Sequence, residues 1–336
     1  MRPGIGLLAN VGISPGALVD LGREIEQAGF SGIWMIEYEY DSVALAQAVA
    51  SQTSRAVTGT CITRAFSRHP VSLANTAAVI DRLAPGRFVI GLGSGTLEAM
   101  DPKLSFQRWG QPWDRPVARM REYVQILRRA LDGELLGYEG EFYDLRHVQL
   151  ELLPESRVPI FIAGGGKRMI ELVAEEADGV FVHLVDRVGT ERTRDTLAAA
   201  ARERGRDPDE LDVSNLVMTC IDEDHDAAVA AMRKHLVEFY LTMSLYQKIL
   251  ASAGFGDAAN TIYECVKRGD VKAAEAAVPD RLIEDFTITG TPADARRKLE
   301  DFVSWGTTMP ILYPFPSRGD WLDCYRRTME TFADAK

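Results

Sequence analysis

The sequence is poor in the residues that most directly announce a function. Its five histidines (His69, His147, His183, His225 and His235) show neither HExxH nor HxH spacing, and no cysteine pair joins them, so a metal site is not expected. The four cysteines, Cys61, Cys220, Cys265 and Cys324, lie far apart without a CxxC pair and read as reduced thiols of a cytoplasmic protein. No apolar run approaches the span of a bilayer, and the opening MRPGIGLLANVG lacks the pattern of a signal peptide, so no membrane partner is expected. Positive charge is in deficit, 38 Lys and Arg against 49 Asp and Glu for a net −11, which argues against a broad nucleic-acid surface. A polyanionic ligand would therefore need local cations. No GxSxG elbow is present. GLGSGT (residues 91–96) misses the dinucleotide fingerprint because Thr96 stands at the third glycine and no helix follows at once. GGGKRM (164–169) misses the Walker A loop because Arg168, not Ser or Thr, follows Lys167.

What is present is a regular alternation of strand and helix patterns in 336 residues of ordinary composition, 46% hydrophobic and 26% charged. Residues 4–11 read as a first strand, 15–28 as a helix, and 32–37 as a second strand. Asp41 then caps an alanine-rich helix running to Ala50. The β-branched run TGTCIT (58–63) is a third strand, Pro70 opens a helix through Leu83, and RFVIGLGSG (87–95) is the fourth strand. The rhythm breaks after Gly95, where Phe106, Trp109 and Trp113 are grouped. It returns with a helix over 116–131 and a hairpin-like alternation over 139–154. Further strands follow at 160–162, after the Asp178-Gly179 stop and up to His183, and at 212–222, then a helical region over 224–277. A helix start at Thr291-Pro292 leads to the last strand, MPILYP (309–314). Eight strands alternating with helices predict an α/β fold, a parallel TIM (β/α)8 barrel with insertions. One barrel domain over 1–336 is expected, with insertions at about 96–115 and 134–156 and extra helices at about 240–280.

The organising stretch is PIFIAGGGKRMIELVAEEADGVFVHL (159–184), which reads as strand, glycine loop, helix and strand. A glycine loop feeding a helix N-terminus offers unpaired backbone N–H groups and a positive dipole end to an anion such as phosphate, with Lys167 and Arg168 beside it. The plainer alternative is that the glycines serve only the turn. Other residues carry two readings each. Glu37 ends the second strand, as catalytic group or as ion-pair partner. His183 ends the sixth strand and could face the mouth, whereas His69 reads as a helix cap. Trp109 and Trp113 are substrate walls or buried anchors. Arg64 and Arg68 are cations for an acidic cofactor tail or solvated arginines.

Several stretches together resemble the bacterial luciferase-like family, most closely its branch that uses the deazaflavin coenzyme F420, typified by methylenetetrahydromethanopterin reductase. They are FSRHPVSLANTAAVIDRLAPGRFVIGLGSG (66–95), RPVARMREYVQILRRALDGE (115–134), the AGGGKRM and ADGV segments, and DRLIEDFTITGTPADARRKL (280–299). The resemblance covers nearly the whole chain in order. It implies a luciferase-like TIM barrel, a homodimer, and a flavin or deazaflavin at the C-terminal ends of the strands. By position, Thr60, Cys61 and Ile62 would form a bulge with a non-proline cis peptide at Cys61-Ile62 behind the ring. Gly93, Ser94 and Gly95 would let backbone approach the ring and ribityl chain. Ala163, Gly164, Gly165, Gly166 and Lys167 would hold the phosphate, in agreement with the anion site read from the loop itself.

The chain also departs from related dehydrogenases. Those have Asp-His at the second-strand end, where this chain has Glu37-Tyr38, and a glutamate directly after the glycine loop, where it has Thr96 and, nearest, Glu98. The resemblance thus implies a reductase passing hydride between F420 and a small organic substrate, with Glu37, Tyr38 or Glu98 supplying the proton. The alternatives are a reduced-FMN monooxygenase on the same barrel and, from another class, a non-catalytic cofactor-binding barrel.

Overall fold

A computed structural model describes residues 2–8, 12–38, 40–95 and 114–333. The chain opens with β1 (Gly4–Leu8), α1 (Pro15–Gln27), β2 (Gly32–Ile36), α2 (Ser42–Ala50), β3 (Val57–Thr60), β4 (Thr63–Arg64), α3 (Pro70–Leu83) and β5 (Phe88–Gly93). Next come α4 (Pro116–Leu131), an antiparallel hairpin of β6 (Leu136–Glu139) and β7 (Asp144–Val148), then β8 (Ile160–Ala163), α5 (Lys167–Glu176), β9 (Gly179–His183), α6 (Arg187–Glu203) and β10 (Asp212–Ile221). Five helices follow: α7 (His225–Phe239), α8 (Ser244–Ser252), α9 (Gly256–Lys267), α10 (Val271–Ala276) and α11 (Asp280–Phe286). The described chain ends with β11 (Ile288–Gly290), α12 (Pro292–Ser304), β12 (Met309–Pro314) and α13 (Trp321–Phe332).

The strands β1, β2, β3, β5, β8, β9, β10 and β12 pair in parallel, and β12 returns to β1 with Gly4 opposite Ile311. The fold is a closed eight-stranded α/β TIM barrel. Local signals act where the sequence places them. The Asp41 carboxylate accepts from the Val43 and Ala44 amides, His69 Nδ1 accepts from the Val71 amide, and Thr291 and Asp294 form a capping box. On α1, Leu18, Leu21 and Ile25 recur at helical spacing and are buried against the barrel.

Strand parity divides the core in two. Ile33 and Met35 of β2 face outward into the layer between barrel and helices, with Ile5, Leu7 and Ile90. Trp34 faces inward, with Cys61, Val89, Phe161, Phe181, Leu216, Met218 and Tyr313. Leu236, Leu241, Leu250 and Phe255, from α7, α8 and the turns that follow them, belong to this same inner cluster, so the extra helices cover part of the barrel end.

The helical region after β10 is several helices, as expected, with Gly254 and Gly269 at positive φ in the breaks. Two details differ from the sequence expectation. The third strand is broken after Thr60, and its continuation β4 pairs separately with the end of β5, Thr63 opposite Leu92. A short strand, β11, was not expected. It pairs with β10 at Thr219, Cys220 and Ile221, beyond the point where β9 ends, and so satisfies backbone groups that the longer β10 would leave open.

Candidate functional site

The C-terminal ends of the barrel strands carry Tyr38, Cys61, Gly93, Ala163, His183 and Tyr313. Glu37 lies just past β2 with its carboxylate turned to the outer layer, among the turns that start α2 and α3. Its Oε2 accepts from the hydroxyls of Ser42 and Thr63, both at 2.7 Å, and its Oε1 accepts from the Arg64 amide at 3.3 Å. The guanidinium of Arg64 stands 3.6 Å away and that of Arg68 3.4 Å, and the Glu37 side chain is only 5% exposed. Arg68 also pairs with Asp41 at 3.3 Å, so neither arginine is a solvated surface cation. Tyr38 packs against the inner cluster, and its carbonyl accepts from Arg64. Glu98, Trp109 and Trp113 lie outside the described residues.

The bulge after β3 has the expected form: the Cys61-Ile62 peptide is cis. Cys61 is buried in the inner cluster, which pushes its thiol pKa far up. The Thr60 side chain is committed to the sheet, its hydroxyl donating to the Gly91 carbonyl at 2.8 Å and accepting from the Gly91 amide at 2.9 Å. The space above Gly93 is filled by the Ile62 side chain, so that glycine accommodates the bulge. Gly95 adopts φ 74°, where a side chain would be strained, and Ser94 is half-buried with its hydroxyl 3.4 Å from the Gly95 carbonyl.

The glycine loop leaves the C-terminal end of β8 as expected. The Gly164 amide donates to the Phe181 carbonyl at 3.1 Å, and the Gly166 carbonyl accepts from Met169 and Ile170 at 2.9 and 3.1 Å. Among the described residues nothing accepts from the amides of 165–168, and Gly166, the N-cap of α5, brings no side chain to them. Open space surrounds Gly165 and Gly166 where a side chain would begin. Lys167 is 80% exposed and, among the described residues, reaches only Glu171, at 3.8 Å. The open amides at the start of α5 thus stand at the C-terminal end of β8, where a helix N-terminus favours an anion.

The inner side of the mouth holds His183, which the sequence suggested could face it. His183, at the end of β9, donates from Nδ1 to the Leu216 carbonyl at 2.6 Å, since a carbonyl can only accept. Its Nε2 is buried and unpaired among the described residues. The rings of Tyr240, Tyr246 and Tyr313 surround the imidazole at 4.5, 5.8 and 6.2 Å. Burial pushes the His183 pKa down to about 4, only partly opposed by the Leu216 bond, so the ring is neutral near pH 7. Burial raises the phenol pKa of both Tyr240 and Tyr313. Tyr240 and Tyr246 belong to the inserted helical region, where no strand end or glycine loop marks them in the sequence.

The sequence profile of the luciferase-like monooxygenases matches residues 2–309. The chain belongs to that family. Among characterised members, this luciferase-like protein is 27% identical to the 5,10-methylenetetrahydromethanopterin reductase of Archaeoglobus fulgidus over 293 residues, 85% of this chain and 86% of the relative. It is 33% identical over 288 residues to an uncharacterised protein of Mycobacterium bovis, spanning 82% and 83% of the two chains. The solved coenzyme F420-dependent tetrahydromethanopterin reductase of Methanopyrus kandleri superposes with a TM-score of 0.83 at 24% identity, over 99% of this chain and 98% of that one. The luciferase-like barrel is thus shared from end to end.

Proposed function

We propose that the protein is an F420-dependent oxidoreductase, a reductase that transfers hydride between a deazaflavin and a small organic substrate. The observation that carries this reading is the open cradle of backbone amides at residues 165–168, facing a barrel mouth. Similarity to a reductase along 85% of the chain supports the choice of chemistry. The residues present fit the cofactor. Ala163, Gly164, Gly165, Gly166 and Lys167 would hold its phosphate, Cys61 and Ile62 would back its ring, and Gly93, Ser94 and Gly95 would line its approach. Thr60 acts one step back, holding the bulge to β5. When bound, the deazaflavin supplies a two-electron hydride carrier, and the chain orients the substrate against it and excludes water.

In this reading Glu37 is a positioning residue, because each of its carboxylate oxygens is already hydrogen-bonded on the outer side of the bulge. Tyr38, on the inner side of the same strand end, is the described candidate for proton transfer, with Glu98 the other. We read residues 1–336 as one barrel with insertions, cytoplasmic and homodimeric; four free buried cysteines fit a reducing compartment.

FMN as the cofactor of a monooxygenase is the second reading, favoured by the name of the family itself. Separate titrations of the purified protein with F420 and with FMN, followed by cofactor fluorescence, decide between them. Saturable binding of F420, with FMN weaker, is expected, together with hydride transfer across a panel of reducible substrates. Preference for FMN moves the protein to the monooxygenases. Tight binding without turnover moves it to the non-catalytic binders, and no binding of either cofactor overturns both cofactor readings.

A further inference from the structure

Native structures pair the great majority of their buried polar atoms, and an exception at a site is a candidate for recognition. His183 Nε2 is such an exception, placed at the strand end nearest Tyr313 and the inserted helices. Trp34 Nε1 and Ser214 Oγ are also unpaired, but Trp34 lies beside Gly4 and Gly32, and Ser214 opposite Met309, at the other end of the barrel. The tautomer of His183 is fixed by the Leu216 carbonyl, so Nε2 carries a lone pair and no proton. Burial keeps it uncharged, and no charged side chain perturbs it. The surrounding walls are tyrosine rings, flat and weakly polar.

We propose that His183 Nε2 is the acceptor that selects the substrate, a neutral planar molecule presenting one O–H or N–H donor and seated among Tyr240, Tyr246 and Tyr313. Among the described residues an anionic substrate finds no cation there, and an aprotic one leaves the lone pair desolvated without a partner. The edge-on Tyr240 ring at 4.5 Å stands over the imidazole. Tyr240 follows α7 directly, in the short connection to α8, and seating a donor on Nε2 requires this ring to turn aside. The inference rests on the proposed function for what faces the substrate, while the unpaired acceptor and its aromatic walls stand on the residues alone.

The test compares 4-methylphenol with 4-methylanisole, the same ring with its donor capped, by calorimetry on the full chain with and without F420. The phenol should bind about tenfold tighter or more, the worth of one hydrogen bond that would otherwise leave a buried acceptor unpaired. His183→Leu should bring the ratio close to one, and His183→Gln, which keeps an acceptor, should restore part of it. Nitrogen-15 spectra of the wild type keep the test independent of variant folding: the Nε2 resonance should move on adding the phenol and stay put on adding the ether. Equal affinities in the wild type, a preference surviving in His183→Leu, or an Nε2 resonance already shifted by a trapped water would each overturn the proposal. Discrimination without F420 binding would leave the pocket standing and remove the cofactor reading; F420 binding without discrimination would do the reverse.

Discussion

The Glu37 carboxylate accepts the Thr63 hydroxyl at 2.7 Å, fastening the end of β2 to the residue that follows the Cys61-Ile62 bulge. The same oxygen takes Ser42, and Arg64 and Arg68 stand beside the carboxylate. A nearly buried anion with two cationic neighbours is costly to remove, because the cations stay behind; such losses run to about 3–5 kcal/mol. Glu37→Gln should therefore lower Tm by several degrees and turnover by roughly tenfold through a displaced bulge. The shape of the pH–rate profile separates this from proton transfer. A positioning role leaves both limbs in place, whereas loss of one limb with a fall of about 100-fold or more would make Glu37 the acid or base.

The open cradle at 165–168 predicts a clean separation of binding from folding. Gly165 has open space where a side chain would begin and does not occupy the positive-φ region, so Gly165→Asp fits without strain. A carboxylate there takes the place proposed for the phosphate at the start of α5 and repels it. F420 affinity should fall by tenfold or more while Tm stays level or rises slightly, read by fluorescence titration and calorimetry on the same preparation. Unchanged affinity would remove the cradle from the cofactor site.

The barrel was legible in the sequence because its strands are buried on both faces and its helices carry one apolar stripe, so the two periods separate cleanly at Ile33–Trp34–Met35 and at Leu18–Leu21–Ile25. Caps at Asp41, His69 and Thr291 were legible for the same reason: each acts within three residues of itself. The mouth was less so. Glu37 and Tyr38 are neighbours in sequence but turn to opposite sides of the wall, and only the positions of Ser42, Thr63 and Arg68 reveal which way the carboxylate goes. His183 meets Tyr240 and Tyr246 across a topology that adds helices far along the chain, a contact that no local spacing encodes.

Burial of His183 also sets a pH dependence of stability. Its pKa of about 4 in the folded protein lies below the ordinary 6.5, so between those values the unfolded chain binds the proton and the folded one does not. Stability then rises with pH through that window, and falls as the solution is acidified from about 6.5 towards 4. The shift bounds the effect at roughly 3 kcal/mol. Asp294 titrates in a lower window: hydrogen bonds from Thr291 hold its carboxyl down to about 2, so its contribution is lost only below the usual 3.8. Urea unfolding at pH 7 and pH 5 should show a drop in the wild type that His183→Leu reduces. An equal drop in both would assign the acid sensitivity to other groups.

The two glycine loops look alike in sequence and should respond oppositely to alanine. A methyl on Gly91 would run into the Thr60 carbonyl and the Phe181 ring, because β3 and β5 close on each other there. Backbone cannot yield as a side-chain tip can, so Gly91→Ala should cost about 3 kcal/mol or more. Thr60→Val should follow it at about 2 kcal/mol or more, since it strips the partner from both the amide and the carbonyl of Gly91 inside the wall. Gly165→Ala meets nothing within 4 Å and should leave Tm within a degree or two. Thermal melts of the three variants side by side measure the contrast. If Gly91→Ala melts with the wild type, the close approach of β3 to β5 is wrong, and with it the placement of the bulge that Glu37 and Thr60 hold.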